Sequence, residues 1–260
     1  MPVNTPRSLT LPQSWLMRER NLRVRVIGAG GTGSMFLDGL ASLHSTLIAL
    51  NQPGLDVTAI DFDTVSEWNL GRQRFTRQDI GLPKAISLIH RINGFYGCRW
   101  VADPSRATAK DAKDCDLFVT CVDSASFRYE VGRAWTGKTT DALWLDLGCG
   151  VDNGQCILGN LGKAAGNIPR IPNVFDFYKQ QLRVPPKDDL PSCSMEEALS
   201  RQSLPVNRIV ADLALNLLYH LIRNGALDHH GVQFQLNPMR TAVIPVDPSA
   251  WSMYGYEERS

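Results

Sequence analysis

The sequence predicts an α/β fold built on a mainly parallel sheet, and three observations predict it. An apolar run, Val24-Arg25-Val26-Ile27, feeds into a glycine loop, Gly28-Ala29-Gly30-Gly31-Thr32-Gly33-Ser34. The loop opens a segment from Ser34 to Leu50 in which Phe36, Leu37, Leu40, Leu43 and Leu47 recur at helical spacing; this is strand, tight turn and helix. Short apolar runs and helical patterns then alternate along the chain, as they do where crossover helices lay strands parallel and ligands bind at the strands' carboxyl ends.

Taken in order, strands are expected at 23–28, 55–61, 99–102, 116–121, 142–147 and 154–158, with helices near 33–50, 84–95, 126–136 and 206–224. The glycines are needed where backbone must approach an anion closely and adopt positive φ, while the helix N-terminus behind them offers free N–H groups. Asn51-Gln52-Pro53-Gly54 supplies the turn into the second strand, Val57-Thr58-Ala59-Ile60, which ends at Asp61. The helix at 206–224 carries Ile209, Leu213, Leu217, Leu218 and Leu221 on one stripe, read as ordinary core packing. Residues 159–193 are rich in Gly, Pro and Asn around the aromatic patch Phe175, Phe177 and Tyr178, a stretch too long for an ordinary connection. Residues 231–237 and 241–246 read as a C-terminal β-hairpin. The whole fits one domain over 1–260: a Rossmann-like core at 22–158, a crossover loop at 159–193, and a late helix with the hairpin at 194–260.

Function is written most densely between residues 28 and 84. A nicotinamide-binding fold would need the glycine loop and an acid after the second strand, here Asp61, somewhat later than the usual spacing of about 20 residues. It would not need the polar set beyond that acid: Asp63, then Asn69-Leu70-Gly71-Arg72-Gln73, then Gly81-Leu82-Pro83-Lys84. A guanidinium fork and an ammonium beyond the same strand suit a triphosphate, whose oxyanions they neutralise. Lys84 follows Pro83 at a helix start, where a cation gains nothing from the helix dipole but would gain from a phosphate. Each residue also has a plain reading: Asp61 ending a strand, Arg72 and Lys84 as solvated charges, Asp123 as a helix N-cap before Phe127-Arg128-Tyr129.

The succession GxGGxGS, DFD, NLxRQ, GxPK and Cys121-Val122-Asp123-Ser124 resembles the ThiF/HesA/MoeB family, the adenylating enzymes that activate ubiquitin, ubiquitin-like proteins and sulfur carriers. The resemblance covers roughly 22–224 and is densest over 26–84. It implies that Gly28, Gly30, Gly31, Gly33 and Ser34 hold the nucleotide, that Asp61 binds the ribose, and that Asn69, Arg72, Gln73 and Lys84 surround the phosphates. Asp63 matches the motif, and Asp123 matches the acid associated with Mg²⁺. The chemistry implied is attack of a C-terminal glycine carboxylate on the α-phosphate of ATP. By the same resemblance the partner is a small β-grasp protein with a Gly-Gly tail, which passes under the crossover segment, and the enzyme is a homodimer. Relatives commonly complete the partner's site with an N-terminal arginine; here Arg7, Arg18 and Arg20 stand in that region without the usual motif. Compact length, missing CxxC pairs and the Pro-Ser-Cys-Ser segment are similar to the ThiF-like component of PRTRC gene sets.

Composition sets the remaining bounds. The chain has 260 residues, 43% of them hydrophobic, and a formal net charge of +1, so it can bury a sizeable core and its charge draws it to neither nucleic acid nor membrane. Lacking a spanning apolar run, it reads as cytoplasmic. The cysteines Cys98, Cys115, Cys121, Cys149, Cys156 and Cys193 form no CxxC pair, so no structural zinc of the family type is expected; those flanking strands read as buried structural thiols. Cys193 differs, standing just before a helical segment starting near Met195, where a helix N-terminus would favour thiolate, although Asp188 and Asp189 oppose this. In sequence order it matches the cysteine on which some relatives form a thioester. Rival readings stay open: ATP-dependent activation of a carboxylate on a modified tRNA or a peptide, an NAD-binding oxidoreductase, and a non-catalytic carrier-binding adaptor.

Overall fold

The structure is a computed structural model that describes residues 8–16, 19–164, 170–183 and 203–257. Its elements in chain order are β1 (Leu9–Thr10), α1 (Gln13–Leu16), β2 (Leu22–Ile27), α2 (Gly31–Ala49), β3 (Leu55–Ile60), α3 (Lys84–Tyr96), β4 (Val101–Asp103), β5 (Leu117–Thr120), α4 (Ala125–Trp135), β6 (Leu143–Cys149), β7 (Asn153–Asn160), α5 (Val174–Arg183), α6 (Val206–Asn224), β8 (Ala226–Leu227), β9 (His229–Leu236), β10 (Met239–Pro245) and α7 (Pro248–Ser252). An eight-stranded sheet runs in the order β10-β9-β7-β6-β5-β2-β3-β4, and β1 pairs with β8 beside it.

The sheet has two halves. β4, β3, β2, β5 and β6 are parallel, with Val24 in register with both Val57 and Leu117. At β6 the chain turns back, and β7, β9 and β10 are antiparallel. Of the parallel strands, β5 and most of β6 are buried on both faces, which explains their nearly unbroken apolar runs, whereas β2 and β3 alternate, with Arg23 and Asp56 exposed; Leu117, Phe118 and Val119 of β5 are fully buried. α2 packs on α3 and α6, and α4 packs on α5. Right-handed crossovers assign these two groups to opposite faces of the sheet. Helix α6 crosses α2 so closely that a Cβ on Gly39 would stand 2.7 Å from Leu215 Cδ2.

From β2 the chain proceeds through β3 to β4 on one side, then returns to the other side for β5 and β6. β2 and β5 therefore flank the point where the connection reverses, and in open α/β sheets that point opens a crevice at the carboxyl ends. The glycine loop after β2 and the Cys121-Val122-Asp123 loop after β5 diverge there.

The helix at 206–224 has the expected bounds, and most other elements shift by one to three residues. The main difference is α5, a helix inside a segment read as loop. Asn173 supplies the cap, its side-chain oxygen accepting from the Phe175 N–H at 2.9 Å, and the aromatics are its buried face: Phe175 fills the space left by Gly132 of α4. The hairpin forms as β9 and β10, beginning two residues earlier on each strand than expected.

Candidate functional site

The glycine loop is shaped by steric necessity. Gly28 has φ +94°, and a Cβ there would stand 2.7 Å from the Cys121 carbonyl oxygen, so the loops after β2 and β5 touch through it. A Cβ on Gly33 would lie 1.9 Å from the Gly28 oxygen. Gly30 is different, for nothing stands within 4 Å of a Cβ placed on it, and it lines the cavity. It is also the N-cap of α2 and brings no capping side chain, so the first turn turns its N–H groups toward open space, as an anion site requires. Gly31 and Thr32 face Asn207, whose side-chain oxygen accepts from the Thr32 hydroxyl at 2.9 Å. Gly33 and Ser34 lie behind the loop and are buried; Ser34 Oγ accepts the Arg74 N–H at 3.2 Å, tying loop to downstream motif.

Asp61, at the end of β3, has its two carboxylate oxygens taken by backbone donors, Ala29 N–H at 2.6 Å and Asp63 N–H at 2.8 Å. Burial raises its pKa, against the pull of those two hydrogen bonds. A carboxylate has about four acceptor sites, so acceptor capacity for ribose hydroxyls is left over. The next acid, Asp63, lines the cavity and is bonded to Lys84, whose Nζ lies 3.0 Å away. Asn69 gives its side-chain oxygen to the Ser66 N–H at 2.9 Å, which leaves its amide N–H groups as donors. Gln73 carries a buried side-chain oxygen with no hydrogen-bond partner, an orphaned acceptor that a hydroxyl or amino group of a ligand would satisfy, while its amide N–H groups suit a phosphate oxygen. Asp123 is exposed on the cavity wall. It does not cap α4: Ser124 does, accepting the Phe127 N–H at 3.2 Å.

A single cavity of about 1610 Å³ gathers Gly28, Gly30, Gly31, Asp61, Asp63, Asn69, Arg72, Gln73, Lys84 and Asp123. It exceeds the roughly 300–1,000 Å³ of ordinary small-molecule sites, because it continues past the parallel half onto the antiparallel strands, reaching Gln155, Gln233 and Arg240. Among the described residues no group of three or more His, Cys, Asp or Glu side chains is arranged to hold a metal ion. Cys193, with Arg7 and Arg18, lies outside the described residues. Arg20 is bonded to Asp116 at 2.6 and 2.9 Å, before the start of β5 and so at the opposite edge of the sheet from the glycine loop.

Several residues of the site were not singled out from the sequence. Asn207 was overlooked on a helix read as core alone; the cue was a polar residue on the buried stripe of Val206, Val210 and Ala214. Asp146 interrupts the apolar strand Leu143–Leu147, and it is 1% exposed. Its carboxylate accepts from Arg128 Nε at 2.6 Å, while Arg128 also donates to the Leu147 carbonyl at 3.1 Å. Cys121 and Cys149, read as structural thiols, are half-buried and line the cavity. Burial pushes both thiols up, so neither is set up as a nucleophile.

No curated protein sequence matches the chain. Among solved structures, the selenomethionine form of PaaA superposes with a TM-score of 0.58 at 14% identity, covering 86% of this chain and 64% of that one. E. coli MccB in complex with MccA-N7isoAsn gives a TM-score of 0.58 at 16% identity, and E. coli MccB with ATP gives 0.55 at 16%; each covers 87% of this chain and 64% of the MccB chain. The chain thus spans somewhat under two thirds of these proteins, and at such identities the likeness is one of fold. The ThiF family's sequence profile matches residues 11–249. The chain belongs to the ThiF family.

Proposed function

We propose that this protein is a Mg-ATP-dependent adenylyltransferase that activates the C-terminal carboxylate of a small protein or peptide. The observation that carries the reading is the cavity at the switch point, where an open glycine loop, Arg72 and the buried Lys84 meet the exposed Asp123. In the reaction a carboxylate oxygen forms a bond to the α-phosphorus and the bond from that phosphorus to the bridging oxygen breaks, so pyrophosphate leaves with the electron pair. Lys84, Arg72, Gln73 and Asn69 would hold the phosphates, and the α2 N-terminus would face them. Mg²⁺ is often held by one or two carboxylates together with phosphate oxygens; Asp123 suits that role, and the ion would supply further charge neutralisation. Such transfer depends on positioning and charge compensation, and the site needs no general base.

The carboxylate we favour is the terminal glycine of a ubiquitin-like β-grasp protein, with a homodimer as the working assembly and passage to Cys193 as a later step. A second reading, a peptide carboxylate, draws support from MccB, solved with MccA and with N-formylated MccA. No helix among the described residues is long and apolar enough to cross a membrane, in keeping with a cytoplasmic setting.

ATP:pyrophosphate exchange tests the reading, run with a Gly-Gly-ended carrier, with a free-carboxylate peptide and with neither. Exchange that depends on an added carboxylate and vanishes in Lys84→Ala is the expected result. Absence of ATP binding overturns the proposal. A thiol-sensitive adduct retained in Cys193→Ala overturns the transfer step alone.

A further inference from the structure

The far side of the cavity carries a hydrogen-bond network that joins Tyr254, Gln233, Tyr178 and Gln155. Tyr254 Oη donates to the Gln233 side-chain oxygen at 3.2 Å. Gln233 Nε2 then donates to Tyr178 Oη at 3.0 Å and to Gln155 Oε1 at 3.2 Å. Tyr178 Oη donates to the same Gln155 oxygen at 3.0 Å. With Gln155 Oε1 receiving two hydrogen bonds, the Gln155 amide nitrogen is left with no partner among the described residues. The network therefore ends on the Gln155 amide N–H groups beside the cavity.

Three further observations place those donors. Gln155 of β7 stands opposite Gly148 of β6 in the antiparallel register. A Cβ on Gly148 would meet only Gln155 Cγ at 3.6 Å, Asp146 Oδ2 at 3.9 Å and Gln155 Nε2 at 3.9 Å, so the space beside the amide is open because residue 148 is glycine. The next residue, Cys149, has its sulfur 3.2 Å from the Thr32 hydroxyl of the glycine loop. The donors thus lie next to the loop that would hold phosphate. The nearby Asp146 carboxylate is paired with Arg128 at 2.6 Å and presents no uncompensated negative charge to an incoming anion.

We propose that Gln155 is a substrate-binding residue whose carboxamide N–H groups hold an oxygen of the C-terminal carboxylate, and later of the acyl carbonyl, of a peptide chain laid over Gly148. The assignment rests on the adenylation reading above. A donor pair suits this end of a peptide because carboxylate and carbonyl oxygens are acceptors only, and Tyr178 and Gln233 hold the amide against rotation.

Binding of two adenosine compounds tests this, measured by calorimetry: 5′-O-[N-(glycylglycyl)sulfamoyl]adenosine and the parent 5′-O-sulfamoyladenosine, which lacks the acyl part. The quantity read is the ratio of their Kd values within each protein. The wild type is expected to favour the glycylglycyl compound by about 10-fold or more, the worth of one hydrogen bond to a charged or polarised group. Gln155→Glu keeps the acceptor of the network but turns the donor into an acceptor, and Gly148→Ala fills the space without a backbone clash; each should bring the ratio to within about 3-fold of unity, roughly the loss of that bond. A ratio kept in both variants, or absent from the wild type, overturns the assignment while ATP binding by the wild type leaves the adenylation reading standing. Failure of the wild type to bind ATP or either compound overturns both.

Discussion

Lys84 is bound twice to Asp63: its Nζ lies 3.0 Å from the carboxylate, and its backbone N–H donates to the Asp63 carbonyl at 2.9 Å. The DFD loop and the start of α3 are thereby held as one unit, with the Lys84 side chain 9% exposed and that of Asp63 49% exposed. A cation buried this far needs a counter-charge, and Asp63 provides one on the cavity side, where a phosphate could share it.

Removal of this ammonium is therefore expected to strike chemistry more than folding. Lys84→Ala should lower carboxylate-dependent pyrophosphate exchange by about 100-fold or more, the scale seen when one charge-stabilising group is lost from a transition state. Lys84→Arg should recover little, because a planar fork cannot replace a point charge on a stem held from both ends. Recovery of wild-type exchange by the arginine variant would show that charge alone matters at this position.

The glycine loop gives a pair of opposite outcomes. Gly33→Ala puts a Cβ 1.9 Å from the Gly28 oxygen and should destabilise the protein by about 1–3 kcal/mol or more, as overpacking against backbone does. Gly30→Ala meets nothing within 4 Å, so urea denaturation should place its stability within roughly 1 kcal/mol of wild type, the usual span for a surface change plus the glycine term. Its ATP affinity should nevertheless fall about 10-fold or more, since the new methyl group occupies the approach to the α2 N-terminus. Equal ATP affinity in Gly30→Ala and wild type would move the phosphates away from that turn.

What the sequence disclosed and what it hid depend on the range of the interactions. The parallel half was legible because a buried strand, a glycine turn and an amphipathic helix are each set by neighbours in the chain, and Asp61 and Lys84 sit at such junctions. Helix α5 was hidden because its periodic face is short and its cap is Asn173, a residue type that equally marks a loop. Asn207, Gln155 and Gln233 were hidden for another reason. Their meaning comes from partners 175, 23 and 78 residues away, at Thr32, Tyr178 and Gln155, and no local pattern encodes such pairings. Asp63 was visible as a match to the motif, but its bond to Lys84, the lysine of the next motif 21 residues on, was not.

The Arg128–Asp146 pair should be costly to break and cheap to replace. Their side chains are 9% and 2% exposed, so Asp146→Asn leaves a buried guanidinium without its counter-charge, and a loss of about 3–5 kcal/mol is expected. Replacing both, as Arg128→Met with Asp146→Leu, should be much less damaging than the sum of the single changes, because no charge is left stranded. Urea midpoints of the two single variants and the double variant check this. Additive losses would mean that the residues act independently despite their 2.6 Å contact.

A pH-dependent loss of stability is built in at His230, which is fully buried under the C-terminal helix α7. Its Nδ1 donates to the Leu158 carbonyl at 2.9 Å, and its Nε2 accepts from Trp251 Nε1 at the same distance. The Trp251 N–H thus selects the neutral ring, since a proton on Nε2 would face it. Burial is the main cause holding its pKa down to about 4, against the pull of the Leu158 bond. An unfolded histidine titrates near about 6.5, so below that pH the unfolded chain binds a proton that the folded chain refuses. The stabilisation is whole above pH 6.5 and drains as pH falls toward 4, at up to about 1.4 kcal/mol per pH unit. Urea unfolding followed by tryptophan emission between pH 7 and 5, a window above the titration of ordinary carboxylates, should show this slope in the wild type. His230→Gln, which has no proton to gain, should be less stable at pH 7 yet nearly flat across the window, and parallel slopes in the two proteins would place the acid sensitivity elsewhere.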